Sequence, residues 1–201
     1  MTTRFISVTL AVVVAMLLAS CGGGGDGGGI GGTGSPSTLG TLNVSLTDAP
    51  TCGYDAVNVT IIKVRVHQNA SAEDADAGWS EVVLNPSRRL NLLDLMNGVT
   101  VRLGQTALPP GKYTQLRLVL ADNDSANALA NSVVPTGGIE TALTSSAGTR
   151  SGLKVGTDID VAPDRTADVL VDFDACRSVI RRGSSGEYEL TPVLSVSSVL
   201  R

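Results

Sequence analysis

Chemistry in this chain would have to come from few side chains. Its 201 residues hold one histidine, three cysteines and 19 acidic residues against 15 basic ones, a net charge of −4. The acids fall in close pairs: Asp122-Asn-Asp124, Asp158 with Asp160, and Asp172 with Asp174. Two positions apart on a strand, Asp172 and Asp174 share a face opposite Val171 and Phe173. Converging carboxylates could complete a calcium site of about six to eight oxygens. A pair set across a glycosidic bond could instead serve as general acid and base. The plainer role of acidic loop tips is to solvate a sheet protein and keep its edges unpaired. Solvation is the first expectation here, with Asp122, Asp124, Asp172 and Asp174 as the candidate calcium ligands and a carboxylate-pair hydrolase as the rival.

His67 is the only histidine, so any catalytic triad must be built around it. It borders a polar loop, and no Gly-x-Ser-x-Gly elbow accompanies it. The expected state is a solvated or strand-end histidine, with no zinc site and no cofactor. The glycine-rich stretch Gly27-Gly-Gly-Ile-Gly-Gly32 has the spacing of a phosphate loop. It lacks the preceding strand and the following Lys-Ser/Thr that such a loop requires.

The elements that would position these residues start after a leader. Residues 1–4 are basic, and residues 5–18 are uncharged and too short to span a bilayer comfortably, as in a signal sequence. Leu18-Ala19-Ser20-Cys21 resembles the lipobox of bacterial lipoproteins, in which the cysteine thiol receives a diacylglycerol. The resemblance implies a signal peptide over 1–20, lipid at Cys21 and, with Gly22 rather than Asp next, the outer membrane. The alternative is an ordinary secretory signal with a cysteine near its cleavage site. Residues 21–39 are mostly glycine and cannot bury enough apolar area to fold, so they are expected to form a flexible tether. Loss of Arg4 with the leader takes the net charge from −4 to −5, with no basic stripe for nucleic acid. Lipid on Cys21 leaves Cys52 and Cys176, which in an oxidising compartment either pair or remain two buried thiols. A bridge would close a loop worth about 4–5 kcal/mol in the chain-entropy model.

Residues 40–201 suffice for one domain burying about 70% of its unfolded surface. From Leu42 apolar residues alternate with polar ones. Residues 57–66 change phase part-way, which predicts a bulge or a strand buried on both faces for part of its length. Further strands are expected at 79–84, 112–120, 151–155, 159–161, 167–173 and 188–199. Turns fall at Asn85-Pro86-Ser87, Asn97-Gly98 and Pro109-Pro110-Gly111. Along 112–120, Thr114, Leu116, Leu118 and Leu120 form the apolar face and Tyr113, Gln115, Arg117 and Val119 the other. Residues 176–182 read as one helical turn capped by Asp174 and stopped by Gly183. Many short strands with almost no helical period predict an all-β, antiparallel sandwich.

Two resemblances follow. Leu108-Pro-Pro-Gly-Lys-Tyr113 resembles the opening of a central strand in transthyretin-like and immunoglobulin-like sandwiches, which implies a corner tyrosine at Tyr113. The ordered set Leu46-Thr-Asp-Ala-Pro50, Val57-Asn-Val-Thr-Ile61, Trp79, Asn91-Leu-Leu-Asp-Leu95, Leu108-Pro-Pro-Gly-Lys-Tyr113, Ser151-Gly-Leu-Lys154, Asp172-Phe-Asp174 and Leu190-Thr-Pro-Val193 resembles domain of unknown function 4382 of bacterial lipoproteins. That family implies a secreted or lipid-anchored sandwich and supplies no catalytic or ligand residues. The expected protein is a non-catalytic binding or scaffolding module at the cell envelope, with a protein or glycan partner. A carboxylate-pair hydrolase and a calcium-dependent carbohydrate or adhesion module are the alternatives.

Overall fold

Alternating apolar and polar residues put twelve strands into two sheets among the residues that the computed structural model describes: 38–49, 53–145, 151–183 and 186–200. The expected leader, nearly all of the tether, Cys21 and Cys52 lie outside the described residues. The smaller sheet contains β12 (Leu194–Leu200), β9 (Thr166–Phe173), β1 (Gly40–Thr47) and β4 (Val101–Leu108), in that order. The larger runs β10 (Val179–Arg182), β11 (Glu187–Leu190), β7 (Thr141–Ser145), β6 (Ser132–Pro135), β2 (Tyr54–His67), β5 (Gly111–Leu120), β8 (Leu153–Val161). In it β3 (Ser80–Asn91) pairs with β2. The all-β sandwich is as the sequence predicts, but the sheets are mixed: β1 runs parallel to β9 and β7 parallel to β11.

Between the sheets lies the core. Leu42, Val44 and Leu46 of β1 and Val169, Val171 and Phe173 of β9 are buried in one cluster with Val57, Val59, Ile61, Val64 and Val66 of β2. The jump from Ile61 to Val64 is the predicted phase slip, seen as a register shift between Ile61 and Lys63 against both β3 and β5. On β3 the ladder passes from Arg88 to Val83, so residues 84–87 bulge within one long strand where the sequence predicts a turn.

β2 is the longest strand and one of its edges serves two partners. Residues 54–58 pair with β6, and residues 61–67 pair with β5. At Thr60, between them, side chains complete the ladder. Asn131 Oδ1 accepts from Thr60 N–H at 3.0 Å, and Asn131 Nδ2 donates to Ala121 O at 2.6 Å. Thr60 O accepts from Ala121 N–H at 2.8 Å, and the Thr60 hydroxyl donates to Ala130 O at 2.6 Å. Asn123 holds Asn131 in turn, accepting its backbone N–H at 2.7 Å.

β5 carries the expected corner tyrosine. Tyr113 is buried in the core, and its hydroxyl donates to Pro109 O at 3.0 Å. Its face differs from the period-two reading. The ring packs in the same core as Leu116, Leu118 and Leu120, and the ladder to β8 shifts register between Tyr113 and Gln115.

The chain's close also differs. Asp174 does cap α1 (Ala175–Ser178), accepting from Arg177 N–H at 2.9 Å. Yet the helix ends after one turn, because Val179 and Ile180 suit a strand and β11 offers them a partner. The single closing strand expected over 188–199 is two strands, β11 and β12, which join different sheets on either side of Pro192.

Tyr113→Phe removes one hydrogen bond and should cost about 1 kcal/mol. Tyr113→Ala also empties a core site and should cost about 3–5 kcal/mol. Denaturant unfolding of the two variants checks the ratio; equal losses would show that the hydroxyl, not the ring, holds this corner.

Candidate functional site

Two places gather polar chemistry, and the first is where four of the sequence motifs meet. β1 ends in Thr47-Asp48 beside the parallel end of β9, with Thr47 opposite Asp172. The Thr47 hydroxyl donates to Leu95 O and Val99 O, and Asp48 N–H donates to Leu95 O at 3.2 Å. Asp174 N–H donates to Val193 O at 3.0 Å. Asp48 Oδ1 accepts from Ala175 N–H at 2.8 Å, tying the end of β1 to the first residue of α1.

Three carboxylates thus share one corner. Asp48 is only 5% exposed, and its Oδ2 finds no hydrogen-bond donor among the described residues; nor does the buried Oδ1 of Asp172. Burial pushes Asp48 up from the usual 3.8 to about 6, the charges of Asp172 and Asp174 add to that, and the Ala175 and Ala49 N–H groups oppose it. Asp172 is also raised, chiefly by burial and then by Asp174. Period-two spacing singles out Asp172 and Asp174 but misses Asp48, whose partners are more than a hundred residues away.

The loop pair is separate in its bonding. Asp124 Oδ1 accepts from Ala126 N–H at 2.9 Å and Asn127 N–H at 2.8 Å, closing its own turn. Asp122 and Asp124 edge a hollow of about 410 Å³ with Asn123 and residues 142–145. Among the described residues no three Asp, Glu, His or Cys side chains are grouped as a metal site needs.

The second place is the outer face of the β2–β5 pair. Arg65 and Arg117 are direct cross-strand neighbours there, an arrangement that costs stability unless the charges are compensated. The chain between β2 and β3 supplies the compensation. Asp74 pairs with Arg65 and lies 3.7 Å from Arg117, while Glu81 takes Arg65 Nε at 3.0 Å and Lys63 Nζ at 2.9 Å. Ala72 O accepts from Arg117 at 2.7 Å and from the Gln115 amide at 3.2 Å. Trp79 covers both cations, its ring centre 4.4 Å from the Arg65 guanidinium carbon and 4.7 Å from that of Arg117.

Every other handle on that ring is also fixed. Trp79 Nε1–H donates to Glu73 O at 2.9 Å, and the His67 ring lies 5.0 Å away, tilted by 55°. His67 Nδ1 accepts from Asn69 N–H at 2.9 Å, so it carries no proton, and Nε2–H faces Ala77 O at 2.9 Å. His67 closes β2, the strand-end placement that the sequence offers beside a solvated one, and both its nitrogens brace the loop backbone. Trp79 directly precedes β3 rather than opening it as expected, and its ring stays half-buried and outside the core cluster.

A family model described as "Domain of unknown function (DUF4382)" matches residues 39–192. No curated protein and no solved structure matches the chain.

Between 3.8 and about 6 the folded protein keeps a proton on Asp48 that the unfolded chain has released. This group's contribution to stability therefore falls as pH rises through that window. Asp48→Asn keeps an oxygen for Ala175 N–H and offers an N–H to Asp172. The variant should gain on the wild type in melting temperature as pH goes from 4 to 7. A difference that stays flat with pH would place the titration elsewhere.

Proposed function

We infer the function from one premise: the chain belongs to the DUF4382 family. On that premise the protein is a lipid-tethered, non-catalytic β-sandwich that engages a partner at the bacterial cell envelope. The family match begins at residue 39, where the glycine-rich stretch after Cys21 ends, which supports a tether followed by one domain. The observation that carries the binding role is Trp79. The chain's only tryptophan is spent outside the hydrophobic core, clamped on two guanidiniums at 4.4 and 4.7 Å and half-exposed. A large rigid aromatic held at a surface is what a contact site uses, because little entropy is lost when a partner meets it.

The hydrolase reading has the Asp48–Asp172 corner in its favour, since paired carboxyls with raised pKa values serve as general acids. Against it, Asp48 is 5% exposed and holds Ala175 N–H, while Asp174 is engaged in capping α1. Both carboxylates have structural work that a reaction would interrupt.

The brace belongs to the same reading. Cys176 lies in α1 and carries a disulfide bond. Cys52 is the partner we assign, since Cys21 is assigned to lipid and Asp48, four residues before Cys52, already meets Ala175.

Cys21→Ser should abolish lipid attachment, and membrane association with it, since acyl chains at about 0.8 kcal/mol per buried methylene hold the protein. Sedimentation after a salt wash tests this; a variant still in the membrane pellet would end the lipoprotein reading. Thiol titration of unfolded, unreduced mature protein should find no free thiol. Cys176→Ala should release one thiol and cost about 2–4 kcal/mol or less. Two reactive thiols in the wild type would sink the bridge.

A further inference from the structure

We propose that the pocket beside Trp79 binds a neutral sugar ring, so that the partner of this module is an uncharged envelope glycan; this rests on the binding-module reading above. The pocket has a volume of about 380 Å³, within the range of small-ligand sites. Trp79, Pro109 and Tyr113 give it carbon walls, and Gln68 and Ser80 bring neutral hydrogen-bonding side chains to it. Neither arginine lines it: Arg65 and Arg117 serve the ring of Trp79 and the acids Asp74 and Glu81. His67 does line it, but both its nitrogens are engaged by the loop backbone in the neutral form. An ionic ligand would thus find no opposite charge on the lining residues. A ligand with one apolar face and a rim of hydroxyls would find a match for both.

The pocket is also set in advance. Trp79 cannot turn without breaking its Nε1–H bond to Glu73 O and its contacts with two guanidiniums. Gln68 is held through its backbone carbonyl, which accepts from the Thr114 hydroxyl at 2.6 Å, and its side-chain amide meets the Tyr113 hydroxyl. Gly78 leaves the wall open where a side chain would close it. Its φ is +99°, and a Cβ there would come within 2.9 Å of His67 Nε2. Pre-set geometry of this kind matters for sugars, whose individual contacts are weak and cannot offset much ordering.

Trp79 is the only tryptophan, so fluorescence excited selectively at tryptophan, where the three tyrosines absorb little, reports on this pocket. The test uses the mature lipidated protein in a zwitterionic detergent that has no sugar headgroup. Maltotriose, cellotriose, triacetylchitotriose and, as the charged counterpart, trigalacturonic acid are titrated in. At least one neutral trisaccharide should give a saturable change with a Kd on the order of 1 mM. The Gln68→Ala/Ser80→Ala double variant keeps Trp79 and its arginines but loses the Gln68 contact with the Tyr113 hydroxyl, so it should stay folded with a slightly lower melting temperature and bind about tenfold more weakly at equal folded fraction. Asp174→Asn, at the other site, should bind unchanged. No saturable change with any neutral sugar, tighter binding of the acidic one, or wild-type affinity in the double variant would each overturn the proposal. Crosslinking in intact cells separates the two readings. A partner captured equally by wild type and double variant would sink the sugar subsite and leave the binding module standing.

Discussion

A strand has two edges, and in this protein the longest one must satisfy three neighbours. β3 occupies one edge of β2, so β5 and β6 divide the other, and the larger sheet forks at Thr60. A fork in a sheet leaves backbone groups facing a gap, and a buried polar group without a partner costs about 1–3 kcal/mol. Asn131 fills the gap because its amide carries an acceptor and a donor on one short arm. It takes Thr60 N–H on one side and gives to Ala121 O on the other. The wing of β6, β7, β11 and β10 and the wing of β5 and β8 both diverge from that amide. Without the fork, β5 could not lie beside the end of β2 where Arg65 and Arg117 meet, and Trp79 would have nothing to rest on.

Charge is handled in opposite ways at the two polar sites. On the outer face two cations sit side by side, and the loop brings anions and an aromatic face to them. At the end of β1 and β9 three carboxylates meet. Among the described residues the one cation beside them is Arg177, whose Nε lies 3.9 Å from Asp174 Oδ2. The first arrangement is compensated by opposite charge on every side. The second is compensated only in part, so one of its members keeps its proton to a higher pH, and Asp48, the most enclosed, is that member. Burial without a donor for Asp48 Oδ2 makes the corner a poor place for an ionised pair. The N–H of Ala175 makes it a good place for a single anchored carboxyl.

The sequence made legible what depends on local period and local turns. The alternation of β1, the slip in β2, the corner at Tyr113 and the cap at Asp174 all follow from neighbours a few residues apart. What stayed hidden depends on partners far along the chain. Residues 84–87 read as a turn because Asn and Pro break strands, yet β2 holds residues on both sides of them in one strand. Residues 179–182 read as a helix end, but β11 draws them into a sheet. A period-two count puts Tyr113 and Leu116 on opposite faces, yet both are buried in the one core, and the ladder to β8 is irregular between Tyr113 and Gln115. Nothing local in the sequence marks Asp48, and the parallel pairing of β1 with β9 brings it to Asp172. A signal for Trp79 did exist: a single tryptophan at the end of a polar loop, two residues before Glu81 and preceded by Glu73, Asp74 and Asp76, is an odd place for a core side chain.

The parallel pairing of β1 with β9 also decides how much a covalent brace can add. Asp48 and Ala175 are 127 positions apart in sequence, yet a 2.8 Å hydrogen bond joins them. Cys52 follows Asp48 by four residues and Cys176 directly follows Ala175, so the proposed bridge would tie segments that the fold already brings together. In the chain-entropy account a crosslink acts on the unfolded chain, and a loop this long gives nearly the largest effect that account allows. The native side sets the opposing term. A bridge beside a preformed contact demands little distortion, because the backbone has been drawn in by the ladder and by the Asp48 carboxyl. Under that proposal the bridge and the carboxyl would guard the same joint against different failures. The carboxyl ties the first residue of α1 to the end of β1, and the bridge would limit how far the two segments separate when that corner opens.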